Sequence, residues 1–146
     1  MTVVSLVTAL GLAGSAALAA TKLAPPVITE HFTTLPCNKN TTIGMEGCAE
    51  RLLLAADHRL NDQVVIVFGL FHSKGQKATF VVAETSWFTY RGTDCQSYAA
   101  IFEGGSIAPV AYANCEVQVD KSRSQDLHSF YEELTQGQGS NVPAWP

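Results

Sequence analysis

Four cysteines carry the chemistry that this sequence offers most plainly. They stand at Cys37, Cys48, Cys95 and Cys115, and their spacing does not match the paired-cysteine patterns of zinc sites. An even number of cysteines in a small domain of an oxidising compartment favours disulfides over free thiols. Gly105 lies midway between Cys95 and Cys115, so two antiparallel helices that meet at this glycine would bring those two sulfur atoms together.

This symmetry favours a disulfide between Cys95 and Cys115, and Cys37 would then pair with Cys48. Closing the loop between Cys95 and Cys115 would add about 3 kcal/mol of stability in the chain-entropy description. The crossed pairings, which would join the N-terminal loop to the helical hairpin, remain the alternative, because spacing alone does not choose between them.

Two arginines are the other residues with specific chemistry. Arg91 and Arg123 fall on otherwise apolar helix faces, where an unpaired guanidinium is too costly, so each requires a carboxylate or several carbonyl oxygens. Asp57 is the candidate partner, with Glu46 and Glu50 as further candidates. We interpret Arg91, Arg123 and Asp57 as members of a structural ion pair that fixes the register of the helices. The alternative is an exposed arginine that binds an anionic ligand.

The remaining reactive residues form no catalytic or metal-binding motif. Ser106 follows Gly104-Gly105, which is not the strained turn of a serine nucleophile. Adjacent carboxylates such as Glu132-Glu133 point apart on a helix. We therefore predict a protein that is not an enzyme and that uses no cofactor and no metal. Four histidines lack the spacing of zinc-ligand pairs: His31, His58, His72 and His128.

The residues around these positions predict an all-α fold, a small bundle of about three helices. Apolar residues recur at helical spacing over 45–71, 78–103 and 107–135. The diglycine Gly104-Gly105 predicts the break between the second and third helices. The β-branched run over 64–68 would also suit a buried strand, and this alternative remains open.

Capping residues and apolar stripes complete this prediction. We expect Thr41 or Thr42 to cap the first helix and Ser106 to cap the third. The inner faces of the second and third helices are predicted as Phe80, Ala83, Trp87, Arg91, Cys95, Tyr98 and Phe102, and as Cys115, Val119, Arg123, Leu127, Phe130 and Leu134.

The segments outside the helices indicate the domain organisation. Residues 1–20 are uncharged and end in the small-residue pattern of a signal peptide, with a transmembrane helix or a buried core helix as alternatives. We expect a linker over 21–36, where prolines block helix, a helical domain over 37–135 and a flexible tail over 136–146. A protein exported by this signal peptide is expected in the periplasm or outside the cell. After cleavage of the signal peptide, we expect no stable insertion into a membrane.

The charge of the chain narrows the class of partner. Its 146 residues carry a formal net charge of −4 at pH 7. Nucleic acids and anionic membranes call for a basic surface, so neither is an expected partner. An acidic exported protein is instead suited to a basic protein partner, because opposite net charges raise the rate of encounter.

The order of these residues resembles the lysozyme inhibitor LprI-like family of bacterial exported proteins. The resemblance spans 37–134, and the spacing of Trp87, Arg91 and Cys95 before the diglycine is its most specific part. Glu84 stands where that family usually has glutamine, and Val64 where an aromatic residue is common. The resemblance rests on Asp57, Leu60, Asn61, Ala83, Trp87, Tyr90, Arg91, Cys95, Gly104, Gly105, Ser106, Cys115, Arg123 and Leu127.

This resemblance implies a small helical, disulfide-bearing domain of the periplasm or cell surface. The member that gives the family its name inhibits lysozyme and is lipid-anchored. The first hypothesis is therefore an exported inhibitor that occludes a lysozyme cleft, with the loops 72–77 and 38–40 as candidate contacts. The second is a periplasmic structural or interaction module that does not inhibit lysozyme. The sequence assigns no partner-binding residue.

Overall fold

The computed structural model describes residues 23–146 of the chain. Three helices account for most of this part: α1 spans Thr42–Leu70, α2 spans Lys74–Ala100 and α3 spans Ala108–Thr135. No strand occurs within these described residues. The predicted all-α fold of about three helices is confirmed, and α3 is the helix against which both others pack.

The valine-rich run lies in α1 because its burial follows the period of a helix. Val64 and Val67 are buried, whereas Val65 between them is exposed. A buried strand would have Val65 covered as well. The strand alternative for this run was therefore wrong.

Two disulfides join the cysteines in the preferred local pairing. The sulfur atoms of Cys37 and Cys48 lie 2.01 Å apart, and those of Cys95 and Cys115 lie 2.07 Å apart. The first bond ties the chain before α1 to the first turns of that helix. The second joins α2 to α3 across the hairpin that they form.

The helix starts at Thr42 and Lys74 are set by side-chain caps. The hydroxyl of Thr41 accepts a hydrogen bond from Gly44 N at 3.0 Å. Ser73 and Gln76 form a reciprocal capping box, in which each side chain accepts from the other residue's backbone N–H at 3.0 Å. Because α2 begins at Lys74 rather than at 78, most of the candidate loop 72–77 is the first turn of a helix.

The connection between α2 and α3 is longer than the predicted break at the diglycine. α2 ends at Ala100, and the next residues form turns in which Glu103 N donates to Ala100 O at 3.0 Å. Gly105 N then donates to Phe102 O at 2.8 Å. Glu103 and Gly104 both adopt left-handed backbone, with φ of 48° and 72°. Glycine tolerates this conformation freely, whereas a glutamate adopts it at a cost.

The prediction that Ser106 caps α3 was wrong. The capping position is Ile107, which makes no side-chain capping bond. In a helix capped by Ser106, the third residue would be Pro109, which has no N–H to donate. The second would be Ala108, whose N–H already donates to Gly105 O at 2.9 Å. The Ser106 hydroxyl therefore has no backbone donor to cap.

The apolar core forms two clusters with buried acids between them. Asp57 lies between the two clusters on α1, and Asp120 lies between them on α3. The cluster nearer the diglycine end contains Ala49, Leu53, Val110, Ala113 and Val117. The cluster nearer the α1–α2 connection contains Leu60, Val64, Val67, Phe80 and Leu127.

The inner faces of α2 and α3 differ from the predicted stripes at several positions. Glu84 is buried while its neighbour Ala83 is exposed, and Tyr98, Phe102 and Phe130 are also exposed. The prediction followed apolar residues alone, but the buried faces also carry acids that pair with arginines. The buried residues of α3 are Val110, Ala111, Ala113, Glu116, Val117, Asp120 and Leu127.

The chain before α1 lies along the bundle without regular secondary structure. We call its residues 23–36 the strap; they belong to the predicted linker. Ile28 N donates to the Asn61 side chain at 2.8 Å, and the Asn61 amide donates to Ile28 O at 2.9 Å. Arg51 donates to Leu35 O at 3.0 Å. The strap is thus fixed to α1 at two places.

Residues 136–146, predicted as a flexible tail, lie against α3. The Tyr131 hydroxyl donates to Pro143 O at 2.6 Å. The Trp145 ring lies 5.1 Å from the rings of both His128 and Tyr131. These contacts position residues 143–145 against α3. The flexibility of the tail stays a prediction.

No helix within the described part of the chain is long and apolar enough to cross a membrane. The predicted signal peptide over 1–20 lies outside the described residues. The predicted domain boundaries stay predictions.

Candidate functional site

The most densely charged place in the bundle is centred on Arg91. Its Nε donates to Asp120 Oδ1 at 2.7 Å, and its Nη2 donates to Asp57 Oδ1 at 2.7 Å. Its Nη1 reaches Glu30 Oε1 at 2.6 Å and Glu116 Oε1 at 3.2 Å. The partners come from α1, α3 and the strap, so one guanidinium joins all three helices to the N-terminal segment. We call these five residues the Arg91 cluster.

The α2–α3 hairpin explains how Arg91 meets the two acids of α3. Cys95 faces Cys115 across the hairpin, and the two helices run in opposite directions. Arg91 lies one turn before Cys95, so it faces the residues that follow Cys115, among them Glu116 and Asp120. Both acids were missed as partners, although their spacing from the cysteines was a usable signal.

Glu30 was also missed, and no pattern in the sequence could have placed it. It lies in the strap, which has no periodicity that would predict a facing residue. Its carboxylate is half-buried, whereas the other members of the Arg91 cluster are buried. The predicted alternatives Glu46 and Glu50 form no ion pair with either arginine in the described part of the chain.

Burial controls protonation in the Arg91 cluster. It raises the pKa of Asp57 to about 8, against the opposing attraction of Arg91. It raises the pKa of Glu116 to about 7, although a hydrogen bond from Tyr112 and the charge of Arg91 act in the other direction. Burial would lower the pKa of Arg91, but its bonds to Asp120 raise it overall, so the guanidinium stays charged.

The number of carboxyl groups around Arg91 agrees with protonation of some of them. One guanidinium faces four carboxyl groups, and a proton on Asp57 or Glu116 relieves the excess of negative charge. Asp57 Oδ2 and Glu116 Oε2 are buried and accept no hydrogen bond from the described residues. The Tyr112 hydroxyl donates to Glu116 Oε1 at 2.8 Å and extends the network towards the diglycine end.

Arg123 forms a second buried ion pair. It donates to the fully buried Glu84 of α2 and lies 3.6 Å from the exposed Asp126. Its guanidinium also lies 5.8 Å from the centre of the Phe130 ring. The structure therefore brings Asp57 to Arg91 and not to Arg123. Glu84 is the residue that stands in place of the family's glutamine, and here it supplies the charge that Arg123 requires.

One group of side chains has the proximity of a metal site but lacks its chemistry. Asp94 lies beside the sulfur atoms of Cys95 and Cys115. Metal ligation by cysteine requires thiolates, and these sulfur atoms are bonded to each other. We assign the group to the disulfide.

Two surface grooves accompany the charged clusters. One of about 450 Å³ runs between α1 and α3 and is lined by Leu52, Leu60, Val117 and other residues. The other, of about 410 Å³, lies between the first turn of α1 and the α2–α3 turn. Its walls include Ile43 on one side and Gly105 on the other. The candidate loop 38–40 precedes this end of α1.

Comparison with known protein families finds a match for this chain. A family model described as "Lysozyme inhibitor LprI" matches residues 37–127. The matched region contains both disulfides, Asp57, Arg91 and Arg123. No curated protein and no solved structure matches the chain significantly.

Proposed function

The chain belongs to the LprI lysozyme inhibitor family, and from this premise we propose that it is an exported protein, not an enzyme, that binds a lysozyme and occludes its substrate cleft. The family match over residues 37–127 carries the proposal, because it covers more than half of the chain and both disulfides. The disulfides support a periplasmic or secreted location, since such bonds persist in oxidising compartments.

A cross-linked bundle suits an inhibitor that must present a fixed surface. Two disulfides and two buried ion pairs join the helices and the strap to one another. A surface held in its binding conformation loses little conformational entropy when a partner binds. The scaffold therefore favours tight binding without any catalytic group.

The charge of the chain supports a basic partner. Its formal net charge is −4 at pH 7, and animal lysozymes are typically basic. Complementary charge speeds association and makes it sensitive to salt. Both properties are expected of an inhibitor that intercepts a secreted lysozyme.

Lysis of bacterial cell walls by a purified lysozyme tests this proposal. We expect the rate of lysis to fall in a saturable way as the protein without its first 20 residues is added. The same protein after reduction and alkylation of its cysteines serves as the control, and it should inhibit less. Undiminished lysis at a large molar excess of the folded protein would contradict the proposal.

One observation favours a second function, that of an envelope interaction module without inhibitory activity. Several residues that carry the family resemblance, including Asp57, Arg91 and Cys95, are buried and serve the scaffold. Family membership therefore fixes the fold more directly than the contact surface. A pull-down from envelope extract separates the two functions: an envelope partner without inhibition supports the module, and inhibition without an envelope partner excludes it.

A further inference from the structure

We propose that the α2–α3 turn is the part of this protein that enters the lysozyme cleft, an inference that rests on the proposed function. We call Tyr98, Ile101, Phe102 and Glu103 the turn surface. It lies beside the groove of about 410 Å³ whose opposite wall includes Ile43. The partner that the turn surface contacts is a basic protein with a sugar-binding cleft.

Exposed apolar side chains are concentrated at this turn. Ile101 is 68% exposed, Tyr98 49% and Phe102 37%, and Ile43 across the groove is 58% exposed. The rings of Tyr98 and Phe102 pack edge to face, with their centres 6.1 Å apart. Other exposed apolar side chains, such as Val65 and Val82, lie elsewhere on the helices. Clustered exposed apolar residues mark interaction sites, whereas single ones are ordinary.

Packing of the core does not explain why apolar side chains occupy these three positions. None of Tyr98, Ile101 and Phe102 belongs to either apolar cluster of the core. The aromatic pair and the isoleucine are therefore free to contact a partner. Aromatic anchors flanked by apolar residues are typical of the centre of a protein interface. Sugar rings have apolar faces that stack on aromatic side chains, so clefts that bind sugars can also accept this surface.

The backbone of the turn is strained and held in place. Glu103 has a φ of 48°, in the left-handed region that is unfavourable for a non-glycine residue. The hydrogen bonds from Glu103 N to Ala100 O and from Gly105 N to Phe102 O maintain this conformation. Such strain persists at sites where a fixed conformation serves binding. Here it fixes Phe102 and the Glu103 carboxylate at the tip.

The charge around the turn matches a basic partner. Glu103 and Asp94 are exposed, and the half-buried Glu46 lines the groove. Lys39 is the basic residue of the neighbouring loop, so acids outnumber bases at this end of the bundle. Acidic side chains at the rim of an apolar surface steer a basic partner and set the orientation in which it binds.

Substitution of Ile101 by aspartate, with Val82→Asp as the matched control, tests the turn surface. Both positions belong to α2 or its cap and are similarly exposed, at 68% and 65%. We expect Ile101→Asp to raise the lysozyme dissociation constant and the half-inhibitory concentration at least about tenfold. Val82→Asp should change each by less than about twofold. Phe102→Ala provides a second variant with the same expected direction.

The outcomes separate this inference from the proposed function. If the parent protein inhibits and Ile101→Asp and Phe102→Ala inhibit equally well, the turn is not the contact, although the function stands. Equal loss in Val82→Asp and Ile101→Asp also overturns the turn surface, because the effect is then not local. A parent protein that does not inhibit overturns the function and this inference together. Thermal unfolding of every variant, followed by circular dichroism, shows that the fold is retained.

Discussion

At the scale of single residues, Arg91 is the contact through which the helices and the strap are joined. Removing it leaves buried carboxyl groups without their cation. We predict that Arg91→Met lowers the free energy of unfolding by about 3–5 kcal/mol at pH 7, the usual cost of breaking a buried ion pair. Urea unfolding followed by circular dichroism measures this loss.

Asp57→Asn is the matched variant for this prediction. The raised pKa of Asp57 means that its carboxyl group is protonated at neutral pH, so an amide of the same shape replaces it closely. The amide oxygen can accept from Arg91 Nη2, as Asp57 Oδ1 does. We expect a loss of about 1 kcal/mol or less. A loss as large as that of Arg91→Met would contradict the assigned protonation.

The protonation of the cluster also predicts how stability depends on pH. The pKa values of Asp57 and Glu116 are raised to about 8 and about 7 by burial, whereas an unfolded carboxyl group titrates near pH ~4. Between these values the folded protein binds protons that the unfolded chain has lost. Stability should therefore fall as pH rises from about 4 to about 8.

Thermal unfolding midpoints at several pH values across this window test the direction. The midpoint should decrease steadily with rising pH in the parent protein, and it should decrease less in Asp57→Asn, which has lost one titrating group. A midpoint that rises between pH 5 and pH 8 would show that the buried carboxyl groups are ionised in the folded state.

The sequence indicated the arginines correctly as residues that need partners, but it identified only part of their surroundings. Asp57 was named because it is an acid on a neighbouring helix. Glu116 and Asp120 follow from the cysteine symmetry once the hairpin is accepted. Glu30 does not, because the strap has no period that relates it to a helix face. Long-range pairing of an irregular segment depends on the whole fold.

At the scale of elements, the strap and α1 approach so closely that only glycine fits at one position. A Cβ at Gly47 would collide with the Pro36 carbonyl oxygen, whereas a Cβ at Gly69 meets no atom within 4 Å. Both glycines lie in α1. We predict that Gly47→Ala destabilises the protein and loosens the strap, while Gly69→Ala stabilises it by up to about 1 kcal/mol.

Hydrogen exchange of the strap and urea unfolding together measure these two effects. Faster exchange at Ile28 N, which donates to Asn61, is expected in Gly47→Ala alone. If both variants were stabilised equally, the close approach between Gly47 and the strap would not exist in solution.

The sequence predicts the three helices correctly, but it predicts the residues at which they begin and end less accurately. Apolar periodicity gave three helices in the right order, and the diglycine marked the hairpin turn. The Ser73 capping box starts α2 at Lys74, within the stretch 72–77 that apolar spacing predicts as a loop. Pro109 prevented Ser106 from capping α3. Both errors concern individual hydrogen bonds at helix ends, which the spacing of apolar residues does not report.

At the scale of the whole molecule, scaffold and contact surface lie in different places. The Cys95–Cys115 disulfide and the Arg91 ion pairs join the helices inside the bundle, while Tyr98, Ile101 and Phe102 are exposed at the α2–α3 turn. The family resemblance includes buried residues such as Asp57, Arg91 and Cys95, which report on the scaffold, so the fold could be predicted more fully than the binding surface. The loops first considered as contacts were chosen for their polarity, a property that does not distinguish a contact from a solvated surface.

Hydrolysis of a short soluble oligosaccharide by lysozyme is the most direct test of the central claim that this protein occludes the cleft. A protein that fills the cleft blocks a small substrate as well as a cell wall, whereas one bound elsewhere hinders only the large substrate. We predict that hydrolysis falls to near zero as the folded protein reaches about one equivalent at concentrations above the dissociation constant. Unchanged hydrolysis of the small substrate at a large excess would contradict occlusion of the cleft.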